Sequence, residues 1–140
     1  CMPNHLHILL RQEKDHGVSR FASQLFNSYT RYMNTKNTRV GPLFQGVFKA
    51  VHIETEEQLL HVSRYIHLNP YVSLIIKEKE LSTYPWSSLP DYLRGTSTFL
   101  DLEPVLSHFS SPKAYERFVF DHAAYAKTLE EIKHLTIEEK

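Results

Sequence analysis

The chain of 140 residues has a single cysteine, no formal net charge and no apolar run of membrane-spanning length. A lone cysteine, Cys1, excludes an internal disulfide and makes a reducing cytoplasm the expected compartment. The missing apolar run excludes a transmembrane helix, and the opening residues do not read as a secretory signal. Internal repeats and low-complexity tracts are absent as well. What the chain does have is a 41% apolar fraction with 17 aromatic residues, enough for a core in one domain, or in one domain with a tail.

A net charge of zero argues against a nucleic-acid partner until the charges are placed. Residues 1–53 hold seven Lys/Arg against two Asp/Glu, a balance of +5, whereas residues 54–140 hold nine against fourteen, a balance of −5. A basic front half suits a phosphate-bearing ligand, although an ordinary mixed surface gives the same count.

Along the chain, Leu6, Ile8 and Leu10 alternate with His5, His7 and Leu9, which predicts a strand from the first few residues. A polar loop over 11–18 leads to Ser19, a candidate N-cap for a helix over about 20–34, with Phe21, Leu25, Phe26, Tyr29, Tyr32 and Met33 at helical spacing. Gly41-Pro42 breaks the chain, and a second strand is expected from about Phe44 to Ile53. Thr55 and Gln58 form a capping box for a second helix. That helix should end near Asn69, because Pro70 disfavours helix at the residue before it. Its core stripe is expected to be Leu59, Val62 and Ile66, with Gln58, His61, Tyr65 and Asn69 about 90° round at ~100° per residue. The Pro- and Ser-rich T-Y-P-W-S-S-L-P-D-Y-L-R-G reads as an irregular packed segment. A short helix within 101–109 and a longer one from about Lys113 to His134, with Tyr115, Phe118, His122, Tyr125, Leu129 and Ile132 as its stripe, complete the reading.

The chemistry resides in four side chains. His5 and His7, two apart on a strand, converge on one face, and Tyr65 and Asn69, four apart on a helix, converge too. Two imidazoles, an amide oxygen and a phenol can hold one divalent metal beside one nucleophile, the minimum for transesterification at a phosphate. Taken singly each residue has a plainer reading. A His-x-His is often one core and one surface histidine, a tyrosine at a helix rim usually packs, and Asn before Pro is a common helix stop.

The order of M-P-N-H-L-H-I-L-L, G-P-L-F-Q-G-V-F-K-A, R-Y-I-H-L-N-P and Y-P-W-S-S resembles the REP-associated tyrosine transposases, single-tyrosine HUH enzymes of the IS200-like type. The resemblance is close over about residues 1–95 and loose beyond. It implies an α+β, ferredoxin-like fold, an antiparallel sheet carrying the histidine pair with helices on one face. The usual N-terminal strand and helix would precede Cys1, and residues 96–140 would form a helical extension to a partial catalytic domain at 1–95. It further implies Tyr65 as nucleophile, His5, His7 and Asn69 as metal ligands, and single-stranded DNA, often next to a hairpin, as the partner. His-x-His alone suits zinc; the amide ligand and the resemblance together point to Mg²⁺ or Mn²⁺. Some relatives are dimers, so a homodimer is one expectation. Gln45, Lys49, Arg64 and His61 are candidate DNA contacts, and His61, one turn before Tyr65, is a weaker candidate for orienting or deprotonating the phenol. The chain departs from the resemblance at Val47, where relatives often carry Arg, and at Tyr71-Val72-Ser73-Leu74, where relatives commonly read V-R-A-G.

Two other readings use the same residues. A DNA-hairpin-binding protein without cleavage predicts binding and no covalent adduct. A phosphoesterase with water as nucleophile tolerates Tyr65→Phe. Aromatic residues such as Tyr29, Tyr32, Phe44, Phe48, Tyr84 and Trp86 can stack single-stranded bases, although their spacing assigns most of them to the core.

Overall fold

A computed structural model describes residues 3–123 and residue 126. Five α-helices and one 3-10 turn make up its regular structure: α1 (Gly17–Lys36), α2 (Glu56–Val72), the 3-10 turn (Glu78–Thr83), α3 (Leu89–Arg94), α4 (Glu103–Leu106) and α5 (Pro112–Phe120). Among the described residues there is no strand, so the expected ferredoxin-like antiparallel sheet is not formed. Alternation of apolar residues makes a strand only where a neighbouring backbone completes the ladder, and neither segment enters one. In residues 44–53, Val47 and Val51 are 86% and 84% exposed, so no face of the segment is buried. Gly46, at φ +70°, also turns the chain out of an extended path. The alternation at Leu6, Ile8 and Leu10 likewise leaves all three exposed.

The chain divides into two compact units, Ile8–His52, and Cys1–His7 with Ile53–Lys140. In the first, α1 begins two residues before Ser19, and its N-cap is His16, in the left-handed region at φ 59°. Ser19 therefore lies inside the helix rather than capping it. Residues 37–44 fold back along α1. Asn34 donates through Nδ2 to the Gly41 carbonyl at 2.9 Å, Asn37 donates to the Met33 carbonyl at 2.9 Å, and the Phe26 and Phe44 rings lie 4.7 Å apart.

In the second unit α2 starts as expected. The Thr55 hydroxyl accepts from the Gln58 amide at 3.1 Å, and the Gln58 side chain accepts from the Glu54 amide at 2.9 Å. It does not stop at Asn69 but runs to Val72 with Pro70 inside. Proline removes one helical donor, and here complete burial of its ring offsets that loss. The Pro70 carbonyl accepts from the Ile75 and Ile76 amides at 3.0 and 3.2 Å, which closes the helix end. The buried stripe of α2 also differs from expectation. Leu59, Val62 and Ile66 are half-buried, whereas Ser63, His67 and Pro70, spaced four and three apart, face inward.

Polar residues can occupy that stripe because each finds a partner. The Tyr115 hydroxyl of α5 bonds Ser63 Oγ at 2.6 Å and His67 Nδ1 at 2.7 Å, and His67 Nε2 bonds Ser88 Oγ at 2.9 Å. Leu81, Leu89, Val105 and Val119 pack around this network as fully buried side chains. Burial pushes the His67 pKa down to about 3, so the ring is neutral, and one nitrogen donates while the other accepts. Residues 102–123 contribute Leu102, Val105, Tyr115, Val119 and Ala123 to the same core. Cys1, Tyr125, Leu129 and Ile132 lie outside the described residues. Among the described residues no helix is long and apolar enough to cross a membrane.

Candidate active site around Tyr65

The helix that buries Ser63 and His67 turns Tyr65, midway between them, to the other side, where its side chain is 55% exposed. There its ring meets that of His7, with centroids 5.5 Å apart and planes at 71°. The His5 and His7 rings lie 5.0 Å apart at 81°. The two imidazoles thus converge beside the phenol although the segment that carries them is not a strand.

Asn4 Oδ1 accepts from Nδ1 of His5 at 2.7 Å, which leaves Nε2 as the other ring nitrogen of His5. The His7 pKa is lowered, first by burial and then by the adjacent His5. A neutral imidazole with a free lone pair is the form that binds metals. Asn69 stands one helical turn beyond Tyr65 and is buried, and its Oδ1 meets no hydrogen-bond donor. A buried amide oxygen without a partner costs free energy unless something supplies the missing positive charge. Two adjacent imidazoles and an unpartnered buried amide oxygen are groups of the kind that ligate a divalent ion. Among the described residues there is no cluster of three His, Cys, Asp or Glu.

The candidate DNA contacts are placed differently. Gln45 and Lys49 are exposed in the unit formed by residues 8–52. Arg64 is committed within its own unit. Its guanidinium stacks 4.3 Å from the Phe118 ring centre, donates to the Phe118 carbonyl at 3.4 Å and donates to His61 Nδ1 at 2.8 Å. His61 Nε2 lies 3.8 Å from Glu57. These contacts join His61 and Arg64 to α5 rather than to the phenol. Sequence reasoning passed over Asn4, whose contact to His5 was signalled by its position next to the pair. It also passed over the core role of His67, signalled by Ser63 four residues earlier. A groove of about 620 Å³ lies elsewhere, between the 3-10 turn and α5, and is lined by Glu78, Glu116, Asp121, Lys79 and Arg117 among others.

Residues 1–69 match the family model described as transposase, IS200-like. Through that stretch the chain is similar to the IS200-like transposase family. The matched segment takes in His5, His7, Tyr65 and Asn69 and stops before Y-P-W-S-S. That similarity points to a transposition-related function on DNA. No curated protein and no solved structure matches the chain.

Proposed function

We propose that this chain cleaves and rejoins single-stranded DNA through a 5′-phosphotyrosine on Tyr65, in the manner of the REP-associated transposases. The observation that carries the reading is the Tyr65 ring against His7, with His5 beside it, inside the segment matched to the IS200-like family. Y-P-W-S-S, beyond that segment, supports the finer assignment to transposases of hairpin-bearing repeats.

In this reaction Tyr65 Oη forms a bond to phosphorus as the bond from phosphorus to the 3′-oxygen breaks. The phenolic proton leaves and the strand departs as a 3′-hydroxyl. A phenol of pKa near 10 is a better leaving group than an alcohol, so a DNA 3′-hydroxyl can reverse the step without ATP. His5, His7 and Asn69 are the residues that would hold Mg²⁺ or Mn²⁺, which when bound supplies charge withdrawal and orientation at the scissile phosphate. Exposure of Tyr65 leaves room for a strand to reach it. One tyrosine per chain carries one covalent end at a time. The cytoplasm is the compartment where such a substrate is met.

The test uses end-labelled single-stranded DNA hairpins from the repeats flanking the gene, with Mn²⁺ or Mg²⁺, on a denaturing gel, beside Tyr65→Phe. A protein–DNA adduct that needs both the metal and Tyr65 is the expected result. Cleavage that survives in Tyr65→Phe points to a water-using nuclease, and retarded DNA without an adduct points to binding alone.

A further inference from the structure

The basic front half of the sequence coincides with a structural unit. All seven Lys/Arg and both Asp/Glu of residues 1–53 fall within residues 8–52. The only long helix of that unit, α1, carries Arg20, Arg31 and Lys36 and no acidic residue at all. Its inner stripe is Val18, Ala22, Phe26, Thr30 and Met33, which are buried or half-buried at helical spacing. Ser28, Arg31 and Thr35 point about half a turn away from that stripe at ~100° per residue, with Tyr32 and Lys36 flanking them.

These five residues line an open groove of about 490 Å³. Tyr32 is 56% exposed, and the Lys36 ammonium lies 5.5 Å from its ring centre. The groove therefore offers one exposed aromatic face, two cations and two hydroxyls along a little over two helical turns. An exposed aromatic face with cations beside it is an arrangement that can hold a stacked base with its phosphates. Successive nucleotides pair one π-face with one negative charge, which complements Tyr32 with Arg31 and Lys36.

We propose that this face of α1 is a docking surface for single-stranded DNA, with a base on Tyr32 and backbone phosphates at Arg31 and Lys36. The choice of DNA as the nucleic acid rests on the function proposed above; the surface itself rests on the charge and exposure of α1.

The test measures fluorescence anisotropy of a 5′-labelled dT20 oligonucleotide with the full chain, without metal, at 50 and 200 mM salt. Tyr32→Ala is expected to weaken binding about 5- to 140-fold, the range that corresponds to loss of one stacked base. Tyr32→Phe keeps the ring and is expected to bind like the parent. In the double variant Arg31→Gln/Lys36→Gln, loss of two phosphate contacts lowers the salt slope by about 1.4. The parent then loses about sevenfold more affinity than the variant across the fourfold salt rise. Far-UV circular dichroism establishes that each variant is folded. Parent-like affinity in Tyr32→Ala together with a parent-like salt slope in the double variant overturns the proposal, as does a parent chain that binds no dT20. Failure of the transesterase reading is distinguishable: it shows as absence of a Tyr65-dependent adduct, while binding of dT20 and its dependence on Tyr32 persist.

Discussion

Tyr115→Phe removes one oxygen from the core and tests what holds α2 in place. The ring of Tyr115 is fully buried, and its hydroxyl bonds both Ser63 Oγ at 2.6 Å and His67 Nδ1 at 2.7 Å. Phenylalanine keeps the packing against Phe109, whose ring centroid lies 5.1 Å away, so the change isolates the hydrogen bonds. Each buried polar group stripped of its partner costs about 1–3 kcal/mol. Two discounts apply: Ser63 can turn its hydroxyl to a carbonyl one helical turn back, and His67 keeps Ser88 at 2.9 Å. The expected loss is therefore about 2–3 kcal/mol, at the lower end of two full penalties. Urea unfolding followed by far-UV circular dichroism measures it, with the midpoint moving down by about 1–1.5 M for a slope near 2 kcal/mol per M. Combining Tyr115→Phe with Ser63→Ala should cost clearly less than the sum of the single changes, because both remove the same bond. A stability change within about 0.5 kcal/mol, the usual scatter of surface substitutions, refutes the claim that this network holds the core.

Further outcomes follow from the same geometry. His67 is neutral in the folded chain, with its pKa pushed down to about 3 by burial, while the unfolded chain binds a proton below the ordinary value near 6.5. Stability from this group is thus complete above pH 6.5 and is lost as pH falls toward 3, at up to about 1.4 kcal/mol per pH unit; the pH dependence of urea unfolding should flatten in His67→Gln. Asn69→Ala removes a buried oxygen that has no hydrogen-bond partner. It should therefore leave metal-free thermal stability unchanged or slightly higher; under the proposed function Mn²⁺ is expected to raise the Tm of the parent chain and not that of the variant. Thr55→Ala deletes the cap that accepts from Gln58 at 3.1 Å and should cost about 1 kcal/mol in urea unfolding.

The sequence and the fold agree where the determinants are local and part where they are not. The start of α2 was legible because a threonine cap and a glutamine three residues later satisfy neighbouring amides whatever surrounds them. α1 was legible in its extent from helical spacing, but its cap was not, since His16 starts the helix in a left-handed conformation that no capping side chain announces. The reach of α2 past Asn69 depended on whether the Pro70 ring would find a core, and only packing from elsewhere in the chain supplies one.

The convergence of His5 and His7 beside Tyr65 shows the same division. Spacing in the sequence identified those residues and paired them, although the strand invoked to bring the histidines together is absent among the described residues. By itself the sequence determined the helices with strong local signals, the segregation of positive charge into residues 1–53, and the choice of His5, His7, Tyr65 and Asn69 as the candidate site. Tertiary structure alone decided that alternating apolar segments would not pair, because a strand exists only when another backbone completes its hydrogen bonds. It also decided which stripe of α2 would be buried. Ser63 and His67 turn inward only because Tyr115 and Ser88, distant in the chain, arrive with the partners that make a polar interior tolerable.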